Sequence, residues 1–239
     1  MIYPNTIELE IYGSHAMFTD PEQKQQGRLC SLPVPTYEAV KGILCSIYWK
    51  PTFIWIPDEL RVMNRISREK YPVKLRQRSG IFITEKERLI NVRYQIRAHF
   101  VWNENRPELA GDRDETKHFR IALRSLSRGG RRSVYLGTAD CCGYVRSAHF
   151  GSGKGFYDGC DRDFGEMYHG ISYPDEGSSD EARQGIFLRK WSCVMENGII
   201  RYSPPEDCRS VSLRPAGIKR FGLNSEAKGE EYAGIGSPD

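Results

Sequence analysis

The stretch Ile90-Asn91-Val92-Arg93-Tyr94-Gln95-Ile96-Arg97-Ala98-His99-Phe100-Val101-Trp102 decides the fold. Its even positions are all apolar, whereas Asn91, Arg93, Gln95, Arg97 and His99 are polar. Side chains alternate across a strand, so one face covers a core and the other meets solvent or a ligand. Upstream, Ile7, Leu9 and Ile11 alternate with Glu8, Glu10 and Tyr12 in a strand ending at Gly13. Thr36 is placed to cap a helix with apolar positions Val40, Ile43, Leu44, Ile47 and Tyr48, stopped by Pro51. Residues 53–56 with Leu60 and Val62 form another strand, broken at Pro57. Downstream, a second helix places Phe119, Ala122, Leu123 and Leu126 on one stripe and Lys117, Arg120, Arg124 and Arg128 on the other. Gly129-Gly130 stops it, and residues 134–137 supply a short closing strand.

Strand, helix, strand, strand, helix, strand is the ferredoxin-like (RRM-like) split βαβ order of an α+β fold. Beyond residue 150 the chain turns to glycine, aromatics and short apolar runs, and Asn197-Gly198 marks a hairpin. The expected organisation is a ferredoxin-like domain over 1–150, a small antiparallel β-sheet domain over 151–221 and a disordered tail over 222–239.

The 239 residues are 39% hydrophobic and 28% charged, which excludes a disordered or collagen-like chain. No apolar run approaches the ~18 residues of a membrane span, and the N-terminus has no signal-peptide pattern, so a cytoplasmic protein without a membrane partner is expected. Seven cysteines without C-x-x-C and five scattered histidines predict reduced thiols, no metal site and no cofactor. The net charge of +4 hides a pattern. Residues 61–78 and 117–132 each carry +6, so the rest of the chain carries −8. Two basic segments in an acidic protein point to a polyanion. The candidate RNA contacts are Arg61, Arg65, Arg68, Lys74 and Arg76 in the first, and Arg120, Arg124, Arg128 and Arg131 in the second.

Lys117 and His118 open the second helix, where unpaired N–H groups favour a phosphate. An imidazole beside an ammonium can share proton transfer and charge stabilisation at a phosphodiester. By spacing alone, two ordinary surface residues remain the simpler reading. Tyr48 reads as core unless its end of the first helix faces Lys117. The polar face of 90–102 reads as structural, because Glu8 and Glu10 lie across from Arg93 and Arg97 and the exposed aromatics of an RNP motif are missing. Gly151-Ser152-Gly153-Lys154-Gly155 lacks the full phosphate-loop pattern and is expected to be a flexible loop.

Tyr12-Gly13-Ser14-His15-Ala16-Met17-Phe18-Thr19-Asp20-Pro21-Glu22, and Val34-Pro35-Thr36-Tyr37-Glu38-Ala39-Val40-Lys41-Gly42-Ile43-Leu44 with Ile47-Tyr48-Trp49-Lys50-Pro51, resemble the CRISPR-associated (Cas) family-five proteins of subtype I-C, the Dvulg type. Thr116-Lys117-His118-Phe119 and Tyr135-Leu136-Gly137 fall where that family places them, whereas residues 138–142 depart from its pattern. The resemblance implies an endoribonuclease that cuts precursor CRISPR RNA within its repeats and stays on the 5′ handle. The family's catalytic tyrosine, lysine and histidine match Tyr48, Lys117 and His118. The substrate 2′-hydroxyl would attack the adjacent phosphorus without metal, leaving a 2′,3′-cyclic phosphate and a 5′-hydroxyl. Implied partners are CRISPR repeat RNA, DNA, and the backbone and large subunits of the interference complex. The alternative is a non-catalytic nucleic-acid-binding subunit of that complex.

Overall fold

The computed structural model describes residues 3–25, 27, 29–77 and 80–218; Arg78 and the tail expected over 222–239 lie outside them. The described residues form strands β1 (Ile7–Ala16), β2 (Phe53–Val62), β3 (Ser67–Gln77), β4 (Gly80–Trp102), β5 (Val134–Tyr135), β6 (Cys142–Ser147), β7 (Arg162–Ser172), β8 (Gly185–Glu196), β9 (Ile199–Arg201) and β10 (Arg209–Pro215). The α-helices are α1 (Pro21–Gln25), α2 (Tyr37–Ile47) and α3 (Glu115–Leu126). The strands join one sheet in the order β10-β8-β9-β2-β4-β1-β6-β5, with β3 on β4 and β7 on β8.

Its centre, β2-β4-β1-β6, is antiparallel throughout and is the ferredoxin-like arrangement. The apolar positions of β1 and β4 pack against α2 and α3: Ile7, Leu9, Ile11, Ile96, Ala98 and Phe100 share a core with Val40, Ile43, Leu44, Ala122 and Leu126. Thr36 caps α2 as expected, its hydroxyl accepting from the Ala39 N–H at 3.1 Å.

Three elements differ from expectation. The strand that closes on β1 is β6, with Leu9 opposite Ser147 and Tyr12 opposite Tyr144, while residues 134–135 pair outside it. β2 runs through Pro57, because a register shift between Pro57 and Glu59 accommodates the residue that cannot donate to the ladder. β4 starts ten residues early, at Gly80, and its outer half pairs with β3 from Ser67↔Ile90 to Gln77↔Gly80 as a two-stranded arm. The basic segment 61–78 is therefore largely strand.

Asn197 and Gly198 adopt φ of 50° and 76°, the left-handed pair that closes a tight hairpin between β8 and β9. β9 also pairs with β2, Leu60 opposite Ile200, so the strands after residue 150 extend the same sheet. The cysteines are unbridged; burial pushes the Cys193 thiol up to about 12. Among the described residues no helix is long and apolar enough to cross a membrane.

Candidate active site

α2 ends at Tyr48, whose backbone is extended and whose N–H donates to the Leu44 carbonyl at 3.0 Å. The Trp55 indole donates to the Tyr48 carbonyl at 2.7 Å and pins the helix end to β2. α3 starts at Asp114, whose carboxylate accepts from the Lys117 N–H at 2.9 Å. The two termini meet. The Tyr48 hydroxyl lies 2.7 Å from His118 Nδ1, the one arrangement under which Tyr48 departs from ordinary core packing.

His118 is fully buried, which the sequence stripe did not anticipate. The inner face of α3 is His118, Ala122, Ser125 and Leu126, whereas Leu123, expected inside, is 39% exposed. The imidazole sits among Phe53, Phe100 and Trp102, with ring centroids 5.4, 6.5 and 5.9 Å away. Its Nε2 is 2.7 Å from the Asp112 carbonyl, which can only accept. Nε2 therefore carries a proton, and in the neutral ring Nδ1 accepts from the Tyr48 hydroxyl.

Asp112, at the end of the 3₁₀ turn Pro107–Asp112, is the residue the sequence reading missed. Its carboxylate accepts from Lys117 Nζ at 2.6 Å and from the Thr52 hydroxyl at 3.0 Å, and stands 3.5 Å from His118 Nε2. The Lys117 ammonium beside it holds the Asp112 carboxyl below the usual carboxylate range, and in return Asp112 raises Lys117. No spacing rule marks an aspartate six residues before a histidine across a turn. Tyr48 is raised chiefly by burial, with Arg131 opposing. The Arg131 guanidinium lies 4.6 Å from the centre of the Tyr48 ring. The result is a buried phenol–imidazole pair, a carbonyl that fixes the tautomer, and two exposed cations at its rim, suited to moving a proton beside an anion.

Of the other predicted RNA contacts, Arg120 and Arg124 line the exposed face of α3, continuous with Lys117, and Arg128 is exposed in the turn that follows it. Arg65 is exposed in the β2–β3 connection, and Arg68, Lys74 and Arg76 are exposed on the arm, Arg68 with Glu87 at 2.6 Å. The arm leaves β4 at Ile90 and the catalytic candidates border Phe100 and Trp102, ten or more residues along the strand, on the order of 35 Å. Arg61 is a correction. It is buried, and its guanidinium donates to Asp158 at 2.8 Å, to the Gly153 carbonyl at 2.9 Å and to Gln95 and the Ser152 carbonyl at 3.2 Å. No donor is left for RNA, and the glycine-rich segment 151–155 is thereby clamped onto the sheet rather than loose.

Arg97 pairs with Glu8 at 3.1 Å and Arg93 with Glu10 at 2.7 Å, the cross-strand ion pairs expected on the outer face. That face is not devoid of aromatics, however: Tyr12 and Tyr144 are both exposed there.

A family model of the Cas5d type, described as CRISPR-associated protein (Cas_Cas5), matches residues 6–203. A Mannheimia succiniciproducens protein named CRISPR pre-crRNA endoribonuclease Cas5d is 31% identical over 150 residues, 52% of this chain and 64% of that protein. A Thermus thermophilus protein of the same name is 40% identical over 47 residues, 20% of each chain. The chain thus matches less than two thirds of the length of either relative. Two crystal structures share the fold. A functionally uncharacterized protein from Streptococcus mutans is 34% identical with a TM-score of 0.71, over 85% of this chain and 94% of that one. A CRISPR-associated protein is 33% identical with a TM-score of 0.70, over the same shares of the two chains.

Proposed function

Since the chain belongs to the CRISPR-associated Cas5 family, in its Cas5d branch, we propose that it is an endoribonuclease that cuts precursor CRISPR RNA within its repeats and keeps the 5′ handle. The observation that carries this reading is the 2.7 Å contact between the Tyr48 hydroxyl and His118 Nδ1, next to Lys117. In the proposed reaction Tyr48 takes the proton of the substrate 2′-hydroxyl as its own proton passes to Nδ1. The freed 2′-oxygen bonds to the adjacent phosphorus, the bond to the 5′-oxygen breaks, and that oxygen takes a proton from water, whose hydroxide is neutralised by the proton that His118 returns through Tyr48. Lys117 leaves Asp112 for the non-bridging oxygens and neutralises the charge gathering there. Arg131, exposed over the Tyr48 ring, moves to a phosphate and opens the phenol to substrate. In this reading side chains supply the base and the charge stabilisation and water supplies the leaving-group proton, so no step is assigned to a metal ion and the products are a 2′,3′-cyclic phosphate and a 5′-hydroxyl.

Residues 1–150 carry this chemistry and 151–221 support the RNA, in a cytoplasmic complex with the backbone and large subunits of the interference machinery and DNA. Complete burial of His118 favours a second reading, a subunit that holds RNA without cutting it. A 2′-deoxy nucleotide 5′ to the cut separates them. Under the first reading wild-type protein cuts all-ribose repeat RNA, and the deoxy substitution abolishes cleavage while binding persists. Cleavage of the deoxy substrate would remove the internal nucleophile, and no cleavage of either would leave the second reading.

A further inference from the structure

The outer face of the sheet, opposite the helices, holds a row that the proton-transfer site does not use. Arg93 on β4 stands opposite Tyr12 on β1, which stands opposite Tyr144 on β6. The two phenol rings are stacked with centroids 5.6 Å apart and planes 28° apart, and Tyr144 is 61% exposed. Arg146 reaches across β6 and β1 to lie 5.4 Å from the centre of the Tyr12 ring.

The charges in this row do not cancel. Glu10, buried to 2% exposure, takes Arg93 Nε at 2.8 Å on one carboxylate oxygen and Arg146 Nε at 2.8 Å on the other. Two guanidinium groups thus share one carboxylate, leaving a surplus positive charge beside the rings. The contacts to Glu10 engage Nε and Nη2 of both arginines; among the described residues no hydrogen bond engages either Nη1. Both side chains keep substantial exposure, 40% for Arg93 and 58% for Arg146.

The neighbouring rows are closed. Phe150 packs under the Arg97 guanidinium at 4.5 Å, and the Gly151 N–H and Ser152 carbonyl occupy the Gln95 amide at 2.9 and 2.8 Å. What stays open is one strip: the stacked Tyr12–Tyr144 pair, with Tyr144 the more exposed ring, flanked by two guanidinium groups that keep Nη1 clear of Glu10. Aromatic faces bind bases of any sequence, and arginine donors bind the phosphates between them.

We propose that Tyr12, Tyr144, Arg93 and Arg146 form a stacking platform for unpaired nucleotides of the RNA, distinct from the proton-transfer site. The proposal rests on the RNA-cleaving reading above and adds to it a second contact. Arg93 and Phe100 are seven residues apart on β4, about 23 Å along the strand, and the platform faces away from the helices. It therefore holds single-stranded RNA several nucleotides away from the cut.

The test measures binding of a 5′-fluorescein-labelled twelve-nucleotide oligoadenylate to the full chain by anisotropy. Tyr12→Ala/Tyr144→Ala is expected to weaken binding about tenfold or more, from the loss of the stacked aromatic pair. Tyr12→Phe/Tyr144→Phe, which keeps both rings, is expected to bind like wild type. If the double alanine variant fails to fold, Tyr144→Ala alone, at the most exposed ring, is scored against a severalfold loss. Wild-type affinity in the alanine variant, or no binding of the oligoadenylate by wild-type protein, overturns the platform; the first result gives the rings to a protein partner instead. A parallel digest of repeat RNA by wild-type protein keeps the two claims apart. Cleavage with an unaffected alanine variant removes the platform alone, whereas absence of any cleavage strikes the enzymatic reading.

Discussion

Replacing Tyr48 by Phe removes one oxygen from the point where α2 and α3 meet. The hydroxyl is the partner of His118 Nδ1, and among the described residues no other hydrogen bond reaches that nitrogen. Leaving a buried polar atom unpaired costs about 1–3 kcal/mol. A chain of this size loses about 2–4 °C in Tm per kcal/mol, so the variant melts several degrees lower but stays folded at 25 °C. The catalytic loss is larger. If Tyr48 passes the proton of the 2′-hydroxyl to His118, its removal costs about 10²–10⁴-fold, the usual worth of positioned acid–base groups. The assay is single-turnover cleavage of labelled repeat RNA with protein in excess at 25 °C, with affinity measured separately and folding checked by circular dichroism. Cleavage by folded Tyr48→Phe within about threefold of wild type, against a role normally worth ~10²-fold or more, would refute the relay.

Arg61→Ala is expected to cost roughly 1.5–3 kcal/mol, the range of hydrogen bonds to charged groups, because Asp158 keeps 37% exposure and the pair falls short of full burial. Denaturant unfolding reads this loss, while RNA affinity of the folded variant is unchanged; a selective loss of RNA binding would return Arg61 to the interface. Arg120→Glu/Arg124→Glu on the exposed face of α3 should weaken RNA binding and flatten the log–log salt slope by about 1.4, and an unchanged slope would remove the helix from the footprint. His169 is buried, its Nε2 donating to the Ser203 carbonyl at 3.0 Å and its Nδ1 accepting from Arg189 at 3.1 Å. Burial first and then Arg189 push its pKa down to about 3, so the unfolded imidazole takes a proton near pH 6.5 while the folded one stays neutral. Stability is thus lost as pH falls from about 6.5 toward 3, by up to ~1.4 kcal/mol per unit, and His169→Gln should reduce that slope; equal slopes in urea titrations would contradict it.

Elements with one buried face were readable. The two-residue period of β1 and of 90–102, and the helical period of α2, each reflect a face that meets the core, and Asn197-Gly198 announces its turn through the left-handed φ it needs. The arm was not readable, because Arg68, Lys70, Lys74 and Arg76 are exposed and pair with a strand that is itself exposed, so no burial imprints a period. β6 was hidden similarly: Tyr144 and Arg146 face outward, leaving Val145 as its buried side chain, while Val134 and Leu136 look more strand-like in sequence. Arg61 read as surface because charge is counted without knowing its partner, and Asp158 is 97 residues away. At the candidate site the residues themselves were named through the family resemblance, but their joint geometry depends on two helix ends meeting 70 residues apart. Asp112 acts on His118 mainly through its backbone carbonyl, which any residue would supply, and so left no mark in the sequence.

The central claim is that Tyr48, Lys117 and His118 direct the RNA's own 2′-hydroxyl at its phosphate. Product ends report this most directly: purified protein incubated with repeat RNA in excess EDTA, followed by mass spectrometry of the fragments. Fragments with a 2′,3′-cyclic phosphate and a 5′-hydroxyl are the expected result. Fragments with a 3′-hydroxyl and a 5′-phosphate, or cleavage that EDTA abolishes, would contradict it.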